Sequence, residues 1–538
     1  ADIGNYYNRR YEGMVNIPVV DDRFDIRLEG EWTKRDGYSF NQITNTPIDG
    51  RDLWSSRLSI GLKPMASLQI NFVWEHFQEN DDRLRTSKQL CETDTPPTIV
   101  NGVPVPPVNS NLGFGDAFDP ITYLSQACRP DSLYSPNSFE VPYGYSLPYV
   151  KAAKLTGEIN PTLDPYASTT QSRNLRVIES TVDPNYQARN DVLELNADYN
   201  VTPELTFTSQ TGFNHDFLWS TEDYNRFNTS PGIFLPSQVG SSVRDATIVD
   251  ANGVFCDPQI GCADRLVGVD LSEEHAWQLS QEFRLASNFS GPLNFSIGGN
   301  FLHYETEENY YVFINALTLF TLGSFGGTVN DTPYVPGVTD NHECLSVYGY
   351  DYRYLSIEQE AGSLPSQNQC NYIDPNPISS LNDRGHNYFL SQNPYVLSSY
   401  AGFGEVYYQA LPDLKLIGGL RWTDDQKHFT DIPSELLTWG WGYPGSGSVD
   451  QQWNEWTGRF AANWTPKLTF TDQTLVYGSY AHGYKAGGAN PPGAILFGNA
   501  AGNSNVPIHP LTFKPEFVDA FELGTKNTLA DGAVTTDA

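Results

Sequence analysis

Residues 24–35 read Phe-Asp-Ile-Arg-Leu-Glu-Gly-Glu-Trp-Thr-Lys-Arg, and this stretch indicates the fold. Its apolar side chains alternate with charged ones: Phe24, Ile26, Leu28 and Trp32 against Asp25, Arg27, Glu29 and Glu31. Successive side chains of a β-strand point to opposite faces, whereas a helix would scatter these residues around its circumference. The stretch therefore predicts a strand over 23–35 with one apolar face and one charged face.

The same alternation recurs along the whole chain. Its apolar side includes Leu58, Ile60 and Leu62 in 53–63, and Leu68, Ile70 and Phe72 in 67–80. Its polar side includes Arg57 in 53–63, Glu282 and Arg284 in 273–287, and Arg421 in 414–430. Weaker examples predict further strands at 9–20, 188–200, 204–217, 292–312, 396–410, 451–464, 474–486 and 515–528, and one more beginning near 533. The sequence predicts an all-β protein.

The connections between these strands alternate strictly between short and long. Short ones carry turn residues, such as Lys63-Pro64 and Asp531-Gly532. Long ones fall at 36–52, 81–187, 218–272, 313–395, 431–450 and 487–514. In an antiparallel up-and-down sheet, alternate connections lie at the same end. Short periplasmic turns and long extracellular loops are typical of a transmembrane β-barrel of the outer membrane.

A barrel of this kind assigns the two faces of each strand to two environments. The apolar face would meet lipid, and its candidates are Phe24, Ile26, Leu28, Trp32, Leu58, Ile60, Leu62, Leu68, Ile70 and Phe72. The charged face would line the lumen, and its candidates are Asp25, Arg27, Glu29, Glu31, Arg57, Glu282, Arg284 and Arg421. The 11 Trp, 31 Tyr and 29 Phe residues suit aromatic girdles at the membrane interfaces. Candidates for the girdles are Trp32, Trp54, Trp74, Trp277 and Trp422.

Charge and hydropathy exclude other classes of protein. The formal net charge is −32, and such a field would repel the phosphates of a nucleic acid. No run of about 18 apolar residues indicates a transmembrane helix. The three longest loops hold 27 acidic and 13 basic residues. An acidic mouth favours cationic or metal-complexed ligands over polyanions.

The six cysteines lie in three long loops, two in each. This placement predicts three disulfides, Cys91–Cys128, Cys256–Cys262 and Cys344–Cys370, although six cysteines allow 15 pairings. Disulfides indicate an oxidising compartment such as the periplasm or the cell surface. A metal site is the weaker alternative, because no Cys-x-x-Cys occurs and the histidines are scattered.

Several motifs resemble those of TonB-dependent outer-membrane receptors of the siderophore-receptor type. Early ones are Tyr-Asn-Arg-Arg-Tyr-Glu-Gly-Met-Val-Asn-Ile-Pro at 7–18, Arg-Asp-Gly-Tyr at 35–38 and Asp-Gly-Arg-Asp at 49–52. Central ones are Gln-Glu-Phe-Arg-Leu at 281–285 and Gly-Leu-Arg-Trp-Thr-Asp-Asp at 419–425. Late ones are Tyr-Ala-His-Gly-Tyr-Lys-Ala-Gly-Gly at 480–488, Lys-Pro-Glu at 514–516 and Phe-Glu-Leu-Gly-Thr-Lys-Asn at 521–527.

The resemblance implies an N-terminal plug domain, a TonB-contacting segment and a barrel of 22 strands in the full protein. We expect residues 1–538 to represent the barrel portion only, with about 14 of those strands. It also implies active uptake of a scarce bulky ligand, such as a siderophore or metal complex, across the outer membrane of a Gram-negative bacterium. Expected partners are lipid and lipopolysaccharide, the TonB complex through the plug, the ligand and a possible surface protein.

No catalytic, cofactor-binding or metal-binding motif is identified, so we do not expect an enzyme. Two alternatives stay open at this point. In the first, the barrel is a surface component whose long loops bind another protein. In the second, the chain is a soluble secreted β-rich enzyme such as a propeller, although its strand spacing is irregular, whereas propeller blades repeat every 40–50 residues or so.

Overall fold

In the computed structural model, the described parts of the chain are residues 1–105, 124–155, 158–160, 162–223, 227–238, 247–324, 328–329, 332–333, 377–380, 389–431, 435–436, 447–490 and 512–538. Among these residues, no helix has both the length and the apolar character needed to cross a membrane.

One large antiparallel sheet dominates the structure, and this confirms the predicted fold class. Its strands follow one another in chain order: β1 (Asp2–Gly4), β2 (Asn8–Val20), β3 (Phe24–Arg35), β4 (Arg51–Met65), β5 (Leu68–Asp81), β6 (Asn185–Thr202), β7 (Leu205–Asp223), β8 (Gly268–Ser287), β9 (Leu293–Ile314), β10 (Phe389–Leu411), β11 (Leu414–Asp431), β12 (Gly447–Trp464), β13 (Gln473–Lys485), β14 (Glu516–Leu529) and β15 (Val534–Asp537). The short strand Glu435–Leu436 also pairs with β10.

The sheet runs from edge to edge as one meander, which we call the wall, and β1 and β15 lie at its two open edges. It does not divide into four-stranded blades, so the propeller given as an example of the second alternative is wrong. The segments 21–23, 66–67, 203–204, 412–413 and 530–533 join neighbouring strands closely. Residues at the tight turns adopt positive φ angles, for example 57° at Asp22 and 84° at Gly532.

The strands extend further than the alternation predicts, mainly at their long-loop ends. β8 begins at Gly268 rather than 273, and β10 begins at Phe389 rather than 396. β7 continues to Asp223, through a buried polar run from Ser220. Four consecutive residues are buried at the end of β7 and at the start of β8, so both faces are covered there and the two-residue pattern disappears. The sequence also gave no signal for the three-residue strand β1.

The long loops contain regular structure that the sequence did not predict. Two helices, α1 (Pro148–Leu155) and α2 (Asn315–Ser324), and two 3₁₀ turns, Gly144–Ser146 and Ile378–Ser380, lie there. The loops also hold short strands: Ser39–Asn41, Thr46–Ile48, Glu92–Asp94, Ile99–Val100, Val103–Pro104, Ala127–Arg129, Val177–Ile178, Ser237–Gln238, Thr247–Val249, Phe255–Asp257, Gly261–Ala263, Thr328–Val329, Thr332–Pro333, Gly488–Ala489 and Thr512–Phe513.

A hydrophobic core joins three of these loops. Its buried members come from the loop after β5, the loop after β7 and the region from the end of β9 into α2: Cys91, Val150, Ala153, Ile159, Tyr166, Phe227, Phe234, Val249, Phe255, Leu266, Val312, Ile314, Ala316, Leu317 and Leu319. We call the described parts of 36–50, 82–184, 224–267 and 315–324 the cap. The buried apolar residues of the described chain lie mostly in the cap and in the strand ends beneath it.

Candidate functional site: the polar face and the cap

The strand register places the candidate lumen-facing residues on one face of the wall. A row of directly opposed residues runs from β3 to β12: Asp25, Gly61, Asn71, Asn196, Gln210, Glu282, Asn300, Ala401, Thr423 and Glu455. Directly opposed residues share a face, and so do residues two apart on one strand. Arg27, Glu29, Glu31, Arg57, Arg284 and Arg421 therefore lie on the same face, which we call the polar face.

The candidate lipid-facing residues lie together on the opposite face, which we call the apolar face. Its opposed sets in β3, β4 and β5 are Phe24–Leu62–Ile70, Ile26–Ile60–Phe72 and Leu28–Leu58–Trp74, and Trp32 opposes Trp54. Leu68 is two residues from Ile70 and shares its face. Trp277 and Trp422 reach the same face through the register of the later strands. That the apolar face meets lipid and the polar face the lumen stays a prediction.

Charged side chains on the polar face form pairs within a strand and between strands. Arg459 of β12 donates two hydrogen bonds to the carboxylate of Glu405, at 2.6 and 2.8 Å. Glu405 lies on β10, two strands away. Arg57 lies 3.9 Å from Glu75, and Arg27 pairs with Glu29 along β3. These side chains are partly or fully exposed, so the pairs are solvated and each contributes little stability. They give the face a hydrated, charged lining.

Histidine has an unexpected distribution in the wall. The described ranges contain six histidines, and the register places all of them on the apolar face: His76, His215, His275, His303, His428 and His482. Three of them contact aspartates on the adjacent strand: His76–Asp191 at 2.8 Å, His428–Asp450 at 2.7 Å and His482–Asp519 at 2.8 Å. The sequence left His482 as structural or lumenal. The structure places it on the apolar face, stacked on Phe517.

Two disulfides cross-link the cap. They join Cys91 to Cys128 and Cys256 to Cys262, which are the pairs that the loop positions predict. The third predicted pair, Cys344–Cys370, lies outside the described residues. Cys91 is fully buried in the hydrophobic core, so the first disulfide joins the core to the short strand Ala127–Arg129.

Polar contacts fix the cap to the upper ends of the strands. Asn41 donates to the Ser180 carbonyl oxygen at 2.9 Å and to Asp183 at 2.8 Å. The Ser180 hydroxyl donates to Asp223, at the end of β7, at 2.7 Å. Arg85 pairs with Asp270, at the start of β8. These contacts join segments that are distant in sequence, so no local sequence motif predicts them.

A cavity of about 490 Å³ opens between the cap segments. Glu179, Asn228 and Arg265 are among its lining residues. Burial raises the pKa of the Glu179 carboxyl, and the positive charges of Lys88 and Arg265 oppose this shift. Burial lowers the pKa of the Lys88 ammonium, opposed by Glu179. The sequence did not single out these residues, because they come from separate loops.

In the part of the chain that the structure describes, no group of three or more His, Cys, Asp and Glu side chains could hold a metal ion. What the described residues do provide is a two-faced antiparallel wall of long strands, joined by short turns at one end and covered by an ordered cap at the other. This architecture is that of an outer-membrane β-barrel protein.

The family described as "TonB dependent receptor-like, beta-barrel" has a model that matches residues 98–538. The chain therefore belongs to the TonB-dependent receptor β-barrel family, as the sequence motifs predicted. Family members are receptors and transporters of the Gram-negative outer membrane rather than enzymes, and this places the chain in that membrane. No curated protein matches the chain.

Several solved structures are similar to the chain at low sequence identity. The ferric yersiniabactin uptake receptor FyuA from Yersinia pestis is 12% identical with a TM-score of 0.51, covering 98% of this chain and 51% of that chain. The siderophore receptor PiuA from Acinetobacter baumannii is 10% identical with a TM-score of 0.49, covering 99% and 55%. The ferric-catecholate import receptor Fiu from E. coli is 13% identical with a TM-score of 0.47, covering 99% and 56%. The chain spans about half the length of these structures.

Proposed function

We propose that this chain forms the barrel wall and external cap of a receptor that imports a scarce, bulky ligand by TonB-coupled active transport. Membership of the receptor family carries this proposal. The geometry supports it, because one polar face continues across the wall and ends beneath an ordered cap. A siderophore, a metal complex or a similar nutrient is the cargo class that the named structural neighbours suggest.

The proposed orientation turns the polar face toward the lumen and the apolar face toward lipid. Large apolar side chains on the apolar face are exposed in the absence of lipid: Phe283 by 50% and Leu420 by 63%. Exposing such a surface to water is costly, whereas hydrocarbon tails cover it without loss. The histidines and their aspartates lie well above the short turns, at the level where polar side chains on a barrel exterior cost little.

The remaining partners follow from this orientation. Short turns face the periplasm, the cap faces the exterior, and lipid with lipopolysaccharide surrounds the wall. TonB would act through the plug domain that the family resemblance implies for the full-length protein. Docking of a surface protein on the cap is the alternative role, and it would use the same ordered loops without transport.

A depletion experiment tests the proposal. Cells that produce the full-length receptor are grown in medium already used by the microbial community in which they live. Mass spectrometry then compares this medium with medium from receptor-deleted cells and from TonB-deficient cells. We expect at least one compound to disappear only when both the receptor and TonB are present. Depletion that persists without TonB contradicts active transport. Stable retention of a surface protein, with no compound depleted, supports the docking role instead.

A further inference from the structure

The cavity between the cap segments carries two opposite charges that do not pair with each other. Glu179 is half-buried, and none of its described contacts is a hydrogen bond or an ion pair within 4.0 Å. Arg265 also lines the cavity, and among the described residues its guanidinium has one ion-pair partner, the neighbouring Asp264 at 3.5 Å. Glu179 and Arg265 influence each other electrostatically but do not touch. A space therefore separates an acceptor and a donor of opposite charge.

Asn228 adds a donor to the same cavity. Its side chain is 5% exposed, it lines the cavity, and within the part of the chain that the structure describes its amide Nδ2 has no hydrogen-bond partner. An unpaired buried donor is unfavourable unless a ligand or a water molecule accepts from it. The backbone beside it is fixed, because the Leu266 amide donates to the Thr229 hydroxyl at 3.1 Å and the Ser230 amide donates to the Pro165 carbonyl at 3.1 Å. This backbone holds Asn228 in place at the cavity.

A second, smaller cavity lies behind Glu179 and Asn228. Its volume is about 20 Å³, and Lys88 lines it. A space of this size holds about one water molecule. Lys88 does not neutralise Glu179 directly, because its ammonium donates to the carbonyl oxygens of Ser172 and Asn174. The Glu179 carboxylate is therefore left for a group that enters the larger cavity.

We propose that this cavity binds a zwitterionic, peptide-type group, with its ammonium at Glu179, its carboxylate at Arg265 and an amide carbonyl accepting from Asn228. A volume of about 490 Å³ accommodates a ligand of a few residues. A polyanion would place negative charge against Glu179, and a neutral polyol would leave both charges unpaired. This inference rests on the proposed function, since it names the chemistry that the cap selects for import.

The test uses full-length receptor in detergent micelles and a pool of random tetrapeptides. Equilibrium dialysis followed by mass spectrometry compares the pool with free termini against the same pool N-acetylated or C-amidated. We expect the free pool to be retained about tenfold or more above either capped pool, because each cap removes one charged contact. Equal retention of all three pools, or retention of none, overturns the inference.

Variants identify the two contacts separately. Glu179→Gln should abolish the preference for a free N-terminus while keeping the preference for a free C-terminus, and Arg265→Gln should do the reverse. A misfolded cap would lose both preferences together, so the selective loss reports on the contact itself. Glu204→Gln, in a short turn at the opposite end of the wall, is the matched control and should keep both. Loss of both preferences in each cavity variant, or of neither, contradicts the assignment.

Uptake separates this inference from the proposed function. Tetrapeptides that bind selectively without TonB-dependent uptake would leave the inference standing and remove the transport role. TonB-dependent uptake of a compound that does not compete with the tetrapeptides for binding would leave the transport role standing and remove the inference.

Discussion

The wall and the cap are stabilised in different ways. In the cap, large side chains are excluded from solvent: Tyr166 is 0% exposed, and Phe234 and Phe255 are 1% exposed. In the wall, side chains of similar size stay exposed, such as Phe283 at 50%. A cap with its own core is stable in water, whereas the exposed apolar face of the wall favours contact with an apolar phase. The cap is thus built like a water-soluble domain.

Charge is also buried where the cap meets the ends of the wall strands. Arg85 reaches from the cap to Asp270 and Glu222 at the strand ends, and both acids are more than nine-tenths buried. Further from the cap, the charged pair Arg57–Glu75 of the wall is about half exposed. Substitutions should therefore affect the two regions differently.

The largest effect is expected from emptying part of the cap core. Phe234 packs edge-on against Phe255, with ring centroids 6.2 Å apart. Phe234→Ala should reduce the free energy of opening the cap by about 3–5 kcal/mol, because it removes buried apolar surface and leaves a cavity. Hydrogen exchange of cap amides, followed by mass spectrometry, measures this loss. Phe283→Ala, on the apolar face of the wall, is the control and should leave cap exchange unchanged. Equal acceleration of exchange by both variants would mean that the cap is not a separate unit.

The two disulfides should differ in their contribution to the cap. The Cys91–Cys128 bond closes a separation of 37 residues and the Cys256–Cys262 bond a separation of 6. In the chain-entropy treatment, the first stabilises by about 4 kcal/mol and the second by about 2 kcal/mol. Variants in which both cysteines of one pair are replaced by serine test this ranking. The quantity compared is the urea concentration at which the cap amides lose their protection from hydrogen exchange. Equal losses from the two pairs would contradict it.

The effect of a charged substitution on the stability of the wall should depend on which face carries it. Leu28→Arg should lower the stability of the barrel in lipid vesicles by about 2–4 kcal/mol, because Leu28 lies on the apolar face near the middle of β3, where an exposed charge would lie deepest in the lipid. Glu29→Arg changes the neighbouring residue on the polar face and should have little effect. Urea-dependent folding into vesicles measures both. A larger effect from Glu29→Arg would reverse the assignment of the faces.

The sequence predicted the wall much better than the cap. Strand β3 could be predicted because apolar residues such as Ile26 and Leu28 alternate with charged residues. This period of two matches the geometry of a strand and not that of a helix. The cap has no such period. Its contacts join residues far apart in the chain, such as Asn41 with Asp183 at a separation of 142 residues. The cysteines were the one exception, since their pairing within a loop follows from their position.

The candidate site divides in the same way. The polar-face residues could be named from the sequence, since every second residue of a strand shares a face. The cavity residues Glu179, Asn228 and Arg265 could not, because two separate loops must fold together before these side chains line one cavity. The same rule applies to His76, which lies two residues after Trp74 and shares its face. His482 was not assigned to the apolar face from the sequence, because its strand has a weaker alternation.

The smallest effect is expected from the charge of Asp257 in the cap. Burial raises the pKa of this carboxyl, although the hydroxyl of Thr318 and the backbone amides of Gln259 and Ile260 favour the ionised form. A folded pKa above the unfolded value of about 3.9 means that the folded cap holds its proton more tightly, so its stability falls as pH rises through the window between the two values. Asp257→Asn should remove this loss and stabilise the cap by about 1 kcal/mol at neutral pH, with little difference from wild type below about pH 4.

Asp250 in the same cap provides a control of opposite sign. It is exposed, and hydrogen bonds from the Val254 and Asn252 amides hold the pKa of its carboxyl below the usual range. Its contribution is therefore present at neutral pH and lost as the carboxyl is protonated, so Asp250→Asn should destabilise the cap near pH 7 and not at low pH. Hydrogen exchange of cap amides from about pH 2 to 8, corrected for intrinsic exchange rates, compares the two variants above and below the carboxyl pKa values. A shift of the same sign in both would show that net charge, rather than burial, sets the pH dependence of the cap.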